Sequence, residues 1–231
     1  MGSSHVIRRV AAAGLLLVSL AAVQAGVAGS SEAGQPVDRP NAADNKRAAA
    51  SVTRFRDLVV GFRVDTKKDR APLVPHCDRY PGDRSNVTVT GAAISSFLQN
   101  SNSIASTVLL FKTSADADRY WQATVRPKYA QCLSRFVKSI MIESATTTSL
   151  MAKQIPIGAT SAEKATAYRT ISRVEAPGIK THTWTETVAF VKLYRGVGII
   201  RVVYINHLCE CHTGLALDLT KRLRTAFRTM P

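Results

Sequence analysis

Thr181-His182-Thr183-Trp184-Thr185-Glu186-Thr187-Val188-Ala189-Phe190-Val191-Lys192-Leu193-Tyr194-Arg195-Gly196-Val197-Gly198-Ile199-Ile200-Arg201-Val202-Val203-Tyr204-Ile205 is the stretch that decides the fold. Threonine, valine, isoleucine and aromatic residues dominate both halves, as in strands. Arg195-Gly196 lies between them and predicts a tight turn, so Thr181–Leu193 and Val197–Leu208 read as an antiparallel hairpin. In the first strand Thr181, Thr183, Thr185 and Thr187 share one face, and His182, Trp184 and Glu186 share the other. Hydroxyls buried on a packed face need partners, so one face is predicted to meet solvent or line a cleft. His182, Trp184 and Glu186 are the candidate ligand-binding residues of that cleft.

A helix is predicted after the hairpin, from about His212 to Met230. Leu215, Leu219, Leu223 and Phe227 recur every four residues as a buried stripe, with Lys221, Arg224 and Arg228 about 180° opposite. Those three cations form a candidate basic patch.

Working upstream, Ile140–Pro156 and Thr166–Val174 read as two further strands. Ala115 to Lys138 is helical, with Ala117, Trp121, Val125, Tyr129, Cys132 and Phe136 in one apolar arc, and Pro127 predicts a kink or split. Ser103–Thr113 alternates Thr107, Leu109 and Phe111 against Ser106, Val108 and Leu110, and Asn86–Thr90 is a strand by β-branching. Ala42 to about Phe55 is helical in composition, and the proline-rich Ala71–Arg84 is a loop. This order predicts a single α+β domain, an antiparallel sheet with helices packed on one face and disulfide bonds. The expected organisation is a signal peptide at 1–28, a flexible leader at 29–41 and the domain at 42–231.

The signal peptide follows from Arg8-Arg9, the apolar run Val10–Val23 and the small residues around Ala25 and Ala28, either of which suits cleavage. The run is too short for a transmembrane anchor, which needs about 20 apolar residues. A secreted, extracellular protein is expected. Removing Arg8 and Arg9 from 31 basic residues leaves 29 against 16 acidic ones, a net +13. Such a charge favours an anionic envelope component as partner. Aromatic residues are only 6% and are not interleaved with the basic ones, which argues against specific nucleic-acid binding.

Cys77, Cys132, Cys209 and Cys211 are an even set in an exported chain and read as two disulfides. Cys209 and Cys211 sit too close to bridge without strain if extended. Two long links to Cys77 and Cys132 avoid that strain, and Cys77–Cys132 with a tight Cys209–Cys211 bond is the alternative. His207-Leu208-Cys209-Glu210-Cys211-His212 has metal-ligand residue types, but exported thiols normally oxidise first, so no metal and no cofactor are expected. Ser161-Ala162-Glu163-Lys164 has the Ser-x-x-Lys spacing of penicillin-binding enzymes without the Lys-Thr-Gly element that should follow. No catalytic motif is recognisable.

Several short stretches occur in a familiar order. They are the Ala42 helix followed by Asp57-Leu58-x-x-Gly61-Phe62, a proline-flanked Cys77 and Val89-Thr90-Gly91-x-Ala93-x-Ser95. Phe111-x-x-x-Ala115-x-Ala117-x-x-x-Trp121, Arg126-Pro127 before Cys132-Leu133, and Tyr194-Arg195-Gly196 come next, and a basic helix ends near Met230. Together they resemble a group of exported actinobacterial proteins of unassigned function, itself similar to the extracellular sensor domain of mycobacterial receptor Ser/Thr kinases. The resemblance implies a disulfide-bonded α+β domain with a cleft and no active site to carry over. The expected function is a secreted, non-enzymatic ligand- or envelope-binding domain of sensor type. A small exported hydrolase and a structural or inhibitory interaction protein are the alternatives.

Overall fold

A computed structural model describes residues 37–58, 62–64, 86–100, 102–126, 129–133, 145–157, 163–206 and 211–228. The elements are β1 (Val37–Asp38), α1 (Ala42–Ser51), β2 (Arg63–Val64), β3 (Thr88–Gln99), β4 (Asn102–Phe111), α2 (Ser114–Thr124), β5 (Thr146–Pro156), β6 (Glu163–Ala176), β7 (Ile179–Leu193), β8 (Gly196–Ile205) and α3 (Cys211–Arg228). One eight-stranded sheet runs in the order β1-β3-β4-β8-β7-β6-β5, with β2 also on β3. Its neighbours are antiparallel apart from the short parallel β1–β3 pair. The single α+β domain expected from the sequence is the observed architecture.

Helices cover both faces of the sheet, where the sequence predicted one. On the first face, Ala48 of α1 and Leu219, Leu223 and Phe227 of α3 pack on Ile104, Val108, Leu110, Ile200 and Val202. On the second, Ala117 and Tyr120 of α2, with Tyr129 and Leu133, pack on Leu109, Phe111, Tyr168, Val188, Phe190 and Ile199. The cause is the apolar content of β4 and β8, whose side chains are hydrophobic on both sides at mid-strand and so need two cores. Two glycines let the first-face helices approach. A Cβ on Gly91 would lie 2.5 Å from the Asp44 carbonyl carbon, and one on Gly198 would lie 2.0 Å from Leu223 Cδ2.

α1 is fixed at both ends. Asn41 Oδ1 caps it by accepting from the backbone N–H of Ala43 at 2.9 Å and of Asp44 at 3.3 Å. Asp44 is then gripped by Arg195 from the β7–β8 turn, whose two terminal nitrogens donate to the two carboxylate oxygens at 2.7 Å each. Thr90 Oγ1 adds a bond at 2.5 Å. The Arg195 guanidinium, against the opposing effect of burial and with help from Thr90, holds the Asp44 carboxyl far below the usual carboxylate range. The turn itself is Tyr194-Arg195, one residue earlier than predicted, because Leu193 pairs with Gly196 and Tyr194 takes the left-handed φ of 51°.

The leader expected at 29–41 overlaps the sheet from Val37 onward. Val37 and Asp38 pair with Thr88 and Val89, and Asn41 N–H donates to Thr90 O at 2.7 Å, so these residues belong to the sheet. β3 also continues to Gln99, beyond the predicted Thr90, as its small residues Gly91, Ala92 and Ala93 are held by a strand-long pairing with β4. The helix split at Pro127 is partly visible: α2 stops at Thr124, Val125 is extended, and helical residues resume at 129–133. A residue before proline is pushed out of the helical region, so a stop just upstream of Arg126-Pro127 follows.

The predicted arc packs on the second-face core through Ala117, Trp121, Val125 and Tyr129, with Tyr120 added to it. Tyr120 is the buried aromatic of this helix, while Trp121 is half-buried and meets Phe190 edge-on at 6.5 Å. Trp121→Ala is therefore expected to cost about 1–2 kcal/mol, below the 3–5 kcal/mol of a fully enclosed aromatic. Urea titration checks this, and a loss above that range would place the indole inside the core.

Candidate functional site

The second face changes character along β6 and β7. Near α2 it is aromatic: Tyr129 meets Tyr168 and Phe190 at ring distances of 4.9 and 5.1 Å. Beyond Val188 it becomes polar, because the alternation that places Val188 there also places Glu186, Trp184 and His182 there. The register sets Thr170 beside Glu186 and Ser172 beside Trp184 on β6. On β8, Val203 lies beside Glu186 and Arg201 beside Val188.

Glu186 is fully buried, and its Oε1 accepts from Arg201 Nε at 2.6 Å. Trp184 Nε1 donates to the other carboxylate oxygen at 3.4 Å. Trp184 itself is half-buried. Thr170 and Ser172 are each 0% exposed, and neither hydroxyl has a hydrogen-bond partner among the described residues. The Tyr129 hydroxyl is likewise buried without a hydrogen-bond partner among the described residues. Burial, and next the negative charge of Glu186, push its pKa well above the usual tyrosine value, so it stays a neutral donor.

Of the three predicted cleft residues, the structure joins Trp184 and Glu186 and leaves His182 at the rim. His182 Nδ1 faces Asn206 Oδ1 at 3.2 Å, and Asn206 occupies the left-handed region with φ 65°. Four residues of strand, about 13 Å, separate His182 from Glu186. Thr170, Ser172, Arg201 and Tyr129 were missed by sequence reasoning. The i, i+2 spacing of Thr170 and Ser172 in a predicted strand was the available signal, but nothing in it showed which face they share with Trp184.

The predicted basic patch is divided by its partners. Arg224 turns inward onto Glu163, a residue at the start of β6 whose side chain is 1% exposed. Arg228 reaches the same carboxylate at 3.6 Å, and Lys221 pairs with Asp218 at 2.9 Å. Arg224 is thus a core-edge cation, because a long side chain next to Leu223 can reach back to a buried carboxylate. Outward arginines gather elsewhere, around an open groove of about 400 Å³ between the end of α1 and α3, lined by Arg54, Arg56, Asp57 and Arg222. Arg222 donates to Asp57 Oδ1 at 3.0 Å.

Cys132 is disulfide-bonded. Cys77, Cys209 and the segment from His207 to Glu210 lie outside the described residues, as do the predicted signal peptide and Ser161, and Cys211 opens α3. Lys164 of the Ser-x-x-Lys stretch is bound to Asp118 at 2.6 Å. No helix among the described residues is long and apolar enough to cross a membrane.

No protein-family model and no curated protein matches the chain. Among solved structures, the extracellular domain of PknH from Mycobacterium tuberculosis is similar over 83% of this chain and 99% of that one, at 11% identity and a TM-score of 0.42. The likeness is a distant resemblance in fold to the extracellular domain of that protein.

Proposed function

We propose that the protein is an exported, non-enzymatic binding domain that takes a small polar ligand against the Trp184 end of the second face. The observation that carries this is the half-buried indole of Trp184, which lies at the polar end of the second face with its N–H on the buried Glu186 carboxylate. Arg201 holds the other oxygen of that carboxylate, so the indole rests on a fixed polar support. A partly exposed aromatic ring on such a support suits a small ligand with both apolar and polar surface. A hydrolytic assignment is disfavoured by spacing, since a carboxylate about 13 Å along the strand from His182 does not orient its imidazole.

The secreted protein, equilibrated with the dialysable fraction of a cell-envelope digest, should retain a small molecule through ultrafiltration. Mass spectrometry after denaturation should find it chemically unchanged, and Trp184→Ala should not retain it. Equal retention by both proteins, no retention, or recovery of cleavage products would overturn the proposal.

An anionic envelope component remains the proposed partner for the excess positive charge, now through the groove at α1 and α3. Replacing Arg54, Arg56 and Arg222 with Ser is expected to lower the salt needed for elution from a heparin column more than replacing Lys221 and Arg228. Screening shortens to about 8 Å at physiological ionic strength, so both losses should shrink with salt. The reverse ranking would return the anion site to the outer face of α3.

A further inference from the structure

We infer that the end of the sheet carrying the β7–β8 turn is a contact surface for an anionic lipid membrane, with the ring of Tyr194 as its anchor. Four described residues have a left-handed φ: Asn100 at 53°, Gly178 at 75°, Asn206 at 65° and Tyr194 at 51°. The first three are of the types that tolerate this region, having no Cβ or a short side chain that bonds locally. Tyrosine is not, and Tyr194 gains no packing in exchange, since it is 60% exposed. Its backbone carbonyl accepts from Ser114 Oγ at 3.2 Å, a bond that any residue there would make. Strain kept at an exposed residue points to a use for the side chain outside the fold.

The charge exposed around this turn is positive. Asp44, Asp116 and Glu163 lie at this end and are buried, and Asp118 is shared by Lys164 and Lys192. Arg39, Lys112, Arg119 and Lys164 are exposed. Backbone bonds place them: Arg39 N–H donates to Val89 O and Lys112 N–H to Thr88 O, both at 2.9 Å, and Phe111 N–H reaches Arg195 O in the turn at 2.9 Å. Lys164 follows Glu163, which pairs with Leu193 just before the turn, and Arg119 donates to Asn86 O at 3.2 Å. Even with Asp38 of β1 set against Arg39, the cations are in excess. A lone amphipathic ring among cations suits a bilayer surface, where the ring sits at headgroup level and the cations meet acidic lipids. A protein partner would call for an apolar cluster around the ring, and the other exposed large hydrophobic residues, Val64 and Leu150, lie away from this end. Trp184 pairs with Ile205 toward the other end of β7, so this surface is separate from the ligand site proposed above.

Co-sedimentation of the secreted protein with vesicles tests the surface, using equal parts of phosphatidylcholine and phosphatidylglycerol against phosphatidylcholine alone. The mixed vesicles should carry the protein down, the neutral ones should not, and added salt should release it. Tyr194→Asn should weaken that binding by about tenfold while unfolding at the same urea concentration as wild type or a higher one, because asparagine relieves the left-handed strain. Tyr194→Trp should bind at least as tightly as wild type. Lys112→Ser with Lys164→Ser should weaken binding by about tenfold or more, since each cation near an acidic bilayer contributes about fivefold. Arg63→Ser with Lys180→Ser, an equal change of charge at the other end of the sheet, should leave binding within about twofold of wild type. Equal losses from the two charge pairs would leave only total charge at work and overturn the inference. Unchanged binding by Tyr194→Asn, a loss accompanied by lower resistance to urea, or no sedimentation with either vesicle would also overturn it.

Discussion

Glu186→Ala is expected to lower the free energy of unfolding by about 3–5 kcal/mol, the range for breaking a buried ion pair from one side. Glu186 is 0% exposed, and its loss strips the Arg201 guanidinium of its buried carboxylate and Trp184 of its acceptor. The argument separates breaking the pair from removing it. A Glu186→Leu, Arg201→Met double variant should recover much of the stability, because desolvation of both charges is then avoided. Urea midpoints of the two single variants and the double variant measure the coupling directly. Additive losses would mean that the two charges act independently and that the second face is wetter than its burial indicates.

Asp44→Asn should cost about 2–3 kcal/mol at neutral pH, since it removes one charged partner from a two-pronged arginine contact. The pH dependence has a definite sign. Asp44 has a folded-state pKa held far below its unfolded value of about 3.9, chiefly by Arg195. Its contribution is fully present above the unfolded pKa and is lost as pH falls through the acid range toward the folded pKa. The gap between wild type and Asp44→Asn should therefore be constant from about pH 8 to 5 and narrow steadily below about pH 4. Denaturant midpoints at neutral pH and near pH 3 test this, and a gap that stays constant into acid would remove Asp44 as the source. The consequence reaches the fold, because Asp44 ties α1 to the β7–β8 turn across a close approach at Gly91.

The hairpin and the α3 stripe were legible because their signals are local. Alternation at β7 and a four-residue period at Leu219, Leu223 and Phe227 need no knowledge of the rest of the chain. The two-sided core was also written in the sequence, in the run Val108-Leu109-Leu110-Phe111, whose opposite faces are both apolar. Arg224 shows where local reasoning stops. Its angular position allows solvent, and only the burial of Glu163, 61 positions earlier in the chain, draws it inward. The site behaves likewise. Trp184 and Glu186 share a face by alternation alone, whereas their link to Thr170, Ser172 and Tyr129 depends on the β6–β7 register and on residues packed from α2 onward. Register is fixed by the whole sheet, not by either strand.

A crystal structure of the protein with the small molecule retained from the envelope digest tests the central claim most directly. The account expects density against the Trp184 ring at the polar end of the second face. A bare Trp184 ring, with the retained molecule bound elsewhere on the protein, would contradict it.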